Sequence, residues 1–355
     1  VTAQAAGAPG SPGSPEAQGS RWTRGSILLA IALAIALVFP AFAGAYALSV
    51  GTLILYFAYT SQAWNVMMGF AGQLSLGHAL YVGLGAYAAG ALYFHFGIGP
   101  WAGLPLAIVV AAAAGVAIGV LAFRFGVSGV YFALLTIAFA EFTRIGFDHL
   151  QWTGGPGGMF LKVEQRDAVD LIHFRGPPAL YYYAMLALAA GALALCARLL
   201  ESRAGYYWRA IREDEDAAQA LGIHVFRWKL LAVAISAGMT AVSGVFFAFY
   251  YNNLFPEQIF STGRSIEIIL GSVIGGVGTL FGPIFGAVVL TALSEAVTEL
   301  LAVLGWEIPG SKQVVYGVVL LVVVMFLPQG IWPPLAQRLG LGPRAPGNPP
   351  GGARR

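Results

Sequence analysis

Charge is scarce in this chain. Only 10% of its 355 residues are Asp, Glu, Lys or Arg and 58% are apolar, whereas soluble globular domains carry about 25% and about 45–50%. That shortfall excludes a soluble domain and places the chain in the lipid bilayer as an all-α integral membrane protein. Cysteine is nearly missing too: Cys196 stands alone in an apolar run, which excludes an intrachain disulfide and a cysteine metal cluster. Lysine occurs three times, after Leu161, Trp228 and Ser311. There is thus no Gly-Lys pair, and a phosphate-binding P-loop is excluded. No compact Ser/His/Asp set argues for an enzyme, and His149 beside Asp148 reads as an outer-face pair. The formal charge of +3 comes without a basic arm or stacking motif, so no nucleic-acid partner is expected.

What is present is a series of apolar runs. Residues 1–25 read as a disordered cytoplasmic tail, 26–332 as one transmembrane domain, and 333–355 as a second tail. Arg21 and Arg24 before "SILLAIALAIALVF", with "AFA" at 41–43, also fit a signal peptide. The tail before them and the membranous character of every later segment favour an uncleaved first span. About ten spans follow from the breaks, near 26–43, 45–63, 66–95, 101–123, 129–149, 179–200, 229–251, 264–281, 283–304 and 313–332. The third is 30 residues long; as straight helix it would reach about 45 Å against a hydrocarbon core of about 30 Å. It must tilt steeply, break or re-enter. Thirteen of the nineteen Lys and Arg residues fall on one side when both termini are cytoplasmic, and positive charge marks the inside. The loop 201–228 is then internal and 150–178 external.

The third span, "GFAGQLSLGHALYVGLGAYAAG", is echoed five spans later by "GSVIGGVGTLFGPIFGA". An odd offset implies an inverted repeat with broken Gly-rich helices at matching positions, a transporter plan that puts the pathway at the repeat interface. Irregular backbone at membrane depth survives only inside protein or along a water-filled cavity. Gln73, Ser75, His78, Gly275 and Gly278 are therefore candidates for the substrate pathway, with tight helix packing the competing role of each. His78 has no companions at metal spacing. Glu141, three residues before Arg144 in "AFAEFTRIGF", is the remaining candidate, its alternative being a structural ion pair.

Between spans six and seven lies "ESRAGYYWRAIREDEDAAQALGIHVFRWK". One amphipathic helix over 208–221 is expected here, with Glu213, Asp214, Glu215 and Asp216 early in it and Gly222 as its stop. Ile211, Ala218 and Leu221 form an apolar stripe beside Arg209 and Arg212. Membrane-surface helices are usually basic with bulky anchors, so this acidic, alanine-rich helix suits docking to a partner. Asp216, Ala217, Ala218 and Gly222 fit the E-A-A-x3-G spacing, with Asp for Glu, of the loop by which bacterial ABC permeases engage their ATPase.

"GQLSLGHALYVGLGAYAAG", "SGVYFALLTIAFAEFTR", "TGGPGG", "SRAGYYWRAIREDEDAAQALGI", "SIEIILGSVIGGVGTLFGPIFGA" and "YGVVLLVVVMFLPQGIW" occur in the order and spacing of the LivM-type permeases of branched-chain amino acid ABC importers. The resemblance covers about residues 45–332. It implies a permease of the bacterial cytoplasmic membrane working by alternating access with two ATPase subunits, a homologous sister permease and an extracytoplasmic binding protein. ATP and Mg would sit on the ATPases, and this chain would bind no cofactor or metal. Branched-chain amino acids are the implied cargo, with urea or short amides as the alternative. The rival class is a self-sufficient ion- or proton-coupled carrier using Glu141 or His78.

Overall fold

The structure, a computed structural model, describes residues 16–162, 170–305 and 310–339. Residues 1–15 and 340–355 of the two expected tails lie outside the described residues. The chain forms α1 (Glu16–Phe42), α2 (Ala45–Asn65), α3 (Ala79–Phe96), α4 (Pro100–Arg124), α5 (Gly129–His149), α6 (Pro178–Glu201), α7 (Arg203–Glu213) and α8 (Glu215–Ala220). There follow α9 (Val225–Tyr251), α10 (Pro256–Ile259), α11 (Thr262–Gly275), α12 (Gly282–Val303), α13 (Ser311–Phe326) and α14 (Trp332–Arg338). A two-residue pairing of β1 (Met159–Phe160) with β2 (Asn253–Leu254) ties the loop after α5 to the end of α9. α1 and α14 thus extend helix into segments expected as tails.

Among the described residues, α3, α4, α5, α6, α9 and α12 are long and apolar enough to cross a membrane, and Ile27–Phe42 and α13 are shorter apolar helices. That is six where the sequence suggested about ten. α2 carries Thr60, Ser61, Gln62 and Asn65 in its second half, which lowers its hydropathy, and α11 has only 14 residues.

Burial sorts the helices by side-chain size. α9 is the axis: 72% of its most apolar window is buried, against 22% for α5 and α6. Small residues let neighbours approach α9 closely, which is how helices associate where lipid offers no hydrophobic driving force. Gly244 lies against the Val82 carbonyl, Gly85 against Ala241, and Gly115 against Ala237, so α3 and α4 flank α9. α2 packs on α6, α11 and α12. Outward faces carry Ile35, Val109, Tyr131, Phe142, Val314 and Phe326, all exposed, a surface made for acyl chains.

Candidate functional site

The third span does not run as one helix. α2 continues through a wider turn at Val66–Phe70, the chain unwinds over residues 71–78, and α3 starts at Ala79. Unwound backbone inside a bundle needs substitutes for its lost hydrogen bonds. Neighbouring helices supply them. Thr136 Oγ1 on α5 accepts from the amides of Leu76 at 3.1 Å and Gly77 at 3.2 Å. Ser265 Oγ on α11 accepts from the Ala79 amide at 2.9 Å, and the Ser75 carbonyl accepts from Trp64 Nε1 at 2.8 Å. Glycine is required at Gly77, where a side chain would enter the Thr136 carbonyl.

The polar candidates of this segment are buried and partnered. Gln73 Nε2 donates to the Ala71 carbonyl at 2.9 Å. His78 is fully buried, 3.4 Å from Ser75 Oγ through Nδ1 and 3.2 Å from Ser236 Oγ through Nε2. Ser236 Oγ donates to the Ala63 carbonyl at 2.7 Å, which leaves its oxygen to accept from Nε2–H. Nδ1 faces Ser75 Oγ, so both ring nitrogens have a hydroxyl partner. His78→Leu leaves two buried hydroxyls short of a partner, at about 1–3 kcal/mol. A clearly lowered melting temperature of the detergent-purified protein is the expected result, and an unchanged melt would count against the network.

α11 ends at Gly275 and the chain turns through Gly276 and Gly278, with φ of 121° and 80°, into α12. Gly275 faces Gly282 and Gly271 faces Gly286 with no room for a methyl between α11 and α12. The end of α11 is closed by the Ile331 amide, which donates to the Ile274 carbonyl at 2.9 Å.

The two irregular segments meet. Asn65 at the end of α2 accepts from the Gly278 amide at 2.8 Å and donates through Nδ2 to the Thr279 carbonyl at 2.9 Å. α11 ends at this junction, whereas α3 begins beside Ser265 in the first turn of α11. The α11 turn is shaped by what it contacts.

That contact comes from the loop after α6. The single helix expected over 208–221 is two helices, α7 and α8, because Asp214 adopts extended backbone and turns its carboxylate onto the amides of Asp216 and Ala217, each at 2.9 Å. Such capping begins a new helix rather than continuing the old one. Gly222, φ 86°, ends α8, with the Ile223 amide donating to the Ala218 carbonyl at 3.1 Å. Trp208 and Ile211 are buried, Trp208 Nε1 donating to the Trp228 carbonyl at 2.8 Å. Ala218 is buried but Leu221 is 82% exposed, so the expected stripe is split. Arg209 folds back on the Leu200 carbonyl at 2.9 Å, while Glu213, Asp216 and Ala217 face outward.

Arg212 reaches furthest. Its Nη1 donates to the Gly69 carbonyl, its side chain lies against Gly72, and its guanidinium fills the space beside Gly278. One cationic side chain of the loop thus sits between the two Gly-rich turns. Glu215 turns inward to an ion pair with Lys229 at the start of α9.

Glu141 stands apart from the other pathway candidates, on the half-exposed face of α5. Arg144 is 2.5 Å from Glu141 and 2.7 Å from Asp148; Asp148 therefore pairs with Arg144, and His149 Nδ1 contacts the Ile145 carbonyl at 2.8 Å instead. Asn65, Thr136, Ser236 and Ser265 went unread in the sequence. The signal was there: a lone polar residue in an apolar helix usually bonds a neighbour.

The sequence profile of the family described as "Branched-chain amino acid transport system / permease component" matches residues 46–324. The chain is similar to the high-affinity branched-chain amino acid transport system permease protein LivM of Salmonella typhimurium, at 29% identity over 337 residues, 89% of this chain and 76% of the relative. The probable branched-chain amino acid transport permease protein LivM of Methanocaldococcus jannaschii is 23% identical over 325 residues, 80% of this chain and 93% of the relative. The autoinducer 2 import system permease protein LsrC of Salmonella typhi is 29% identical over 187 residues, 50% of this chain and 49% of the relative. No solved structure matches.

Proposed function

Because this chain belongs to the family of permease components of branched-chain amino acid transport systems, we propose that it is one of two homologous permeases of an ABC importer for branched-chain amino acids in the bacterial cytoplasmic membrane. Its helices make it a multi-pass membrane protein. In this reading ten segments cross the bilayer, both termini are cytoplasmic, and the α7–α8 hairpin is a handle for two separate ATPase subunits that carry ATP and Mg. A binding protein outside the membrane delivers the cargo.

The observation that carries the reading is Arg212, which links that handle to both Gly-rich turns. Closure of the ATPases shifts the equilibrium between two arrangements only if they bind the two differently. The hairpin is where that difference enters, and the turns are where it acts. The Glu141, Arg144 and Asp148 cluster lies on a face of α5 that this chain leaves partly uncovered. Charge there is expensive against lipid. The sister permease covers it in this reading, with the substrate pathway alongside.

Leu221 is the cleanest probe, since a change at buried Ala218 would disturb packing whereas Leu221 is exposed. Leu221→Arg should leave folding intact while uptake of radiolabelled leucine by the complete reconstituted transporter falls at least tenfold. Normal ATPase association and normal uptake would remove the handle from the reading. Uptake by this chain alone, driven by an imposed proton gradient, would favour the ion-coupled class; labelling of Asp216→Cys from the external face would overturn the orientation. Urea or a short amide competing with leucine more strongly than valine does would move the substrate class.

A further inference from the structure

We propose that Lys229 is a positioning residue through which the hairpin drives α9, a role that rests on the ABC permease reading and adds a second route to that of Arg212. Lys229 is 5% exposed although it stands in the first turns of α9, where a lysine would ordinarily snorkel to water. Its ammonium is held from two sides: by the carboxylate of Glu215 on α8 and by the ring of Phe123 on α4, with Nζ 5.2 Å from the centroid. Three elements therefore meet on one buried charge.

The node has somewhere to move and something to move. A cavity of about 590 Å³ opens beside it, lined among others by Phe123, Gln219 and His224, so α8 is not packed solidly against the α4–α5 turn. Along α9, Ser236 lies two turns beyond Lys229, about 10 Å by helical rise. Ser236 holds both the Ala63 carbonyl on α2 and His78 at the end of the unwound segment before α3. Displacement of α8 is thus carried by the ion pair into α9, and by α9 to the break that Arg212 touches from the other side.

The two partners are unequal, which makes the pair testable. Glu215 is 43% exposed at its side chain and Lys229 6%. Glu215→Gln strands a buried ammonium and should lower the yield of folded protein sharply, whereas Lys229→Met leaves a carboxylate that water can reach. The double variant Glu215→Gln/Lys229→Met removes both charges and should fold as the wild type does. In the reconstituted transporter it should keep its ATPase subunits and hydrolyse ATP, yet transport at least tenfold less radiolabelled leucine per ATP. Glu215→Cys and Lys229→Cys together, with Cys196→Ser, should recover that ratio when a short bis-maleimide joins the two thiols.

A double variant with the wild-type uptake-to-hydrolysis ratio, or a tether that restores nothing, would overturn the role of Lys229 while leaving the transporter reading in place. Wild-type uptake that persists with hydrolysis-dead ATPases would overturn the reading and this proposal with it.

Discussion

Valine in place of Gly275 is expected to abolish production of folded protein. A Cβ at this position falls inside the Gly282 backbone, meeting its carbonyl oxygen and carbon together, and backbone, unlike a side-chain tip, cannot swing away. Overpacking costs about 1–3 kcal/mol where side chains can adjust. Here the only relief is separation of α11 from α12, which would also pull apart Gly271 and Gly286. Gly191→Ala on α6 is the control: a Cβ there meets nothing within 4 Å. It should match or slightly exceed the wild type in melting temperature, since glycine weakens a helix by about 0.5–1 kcal/mol relative to alanine. Size-exclusion profiles and melts of the two variants decide the matter. A monodisperse Gly275→Val protein that melts like the wild type would mean that the α11–α12 hairpin is looser than described.

Arg212→Ala is expected to cost transport more than stability. The hairpin retains Trp208 and Ile211 in the core, and Asn65 still bridges the two turns, so the fold has other supports. What disappears is the charge-assisted bond to the Gly69 carbonyl and the mass beside Gly278. A hydrogen bond to a charged group is worth about 1.5–3 kcal/mol, roughly one to two decades in an equilibrium between states that keep and lose it. Uptake in the reconstituted transporter should fall about 10- to 100-fold, with a modest change in melting temperature. Arg212→Lys should recover little, because an ammonium lacks the planar fork that reaches Gly69 while filling the Gly278 side. Full activity in Arg212→Ala would break the link between handle and turns.

Particular residues show how far the sequence could be read. Apolar runs separated by Arg, Gly and Pro located ten of the fourteen described helices, because hydropathy is a local property and the bilayer demands it of each segment independently. The third span was legible as unable to be straight, from length alone. Where it breaks was not, since that depends on Thr136 and Ser265, 60 and 186 residues away from their partners Leu76 and Ala79. In the hairpin the acidic block and Gly222 were readable as helix punctuation. The break at Asp214 was not, because the same residue serves equally in the first turn of one helix or as the cap of another.

Composition therefore decided the solvent this chain lives in, and spacing decided its helices and its Gly-rich contact faces. Each follows from short-range physics that every segment obeys alone. Only the tertiary structure decided that Arg212 reaches Gly69 and Gly278 while Arg209 folds back, that Glu215 turns inward to Lys229 while Asp216 faces out, and that both Gly-rich turns meet that one arginine. Those outcomes depend on which carbonyls and charges lie within reach once distant helices pack, and chain position carries no record of that.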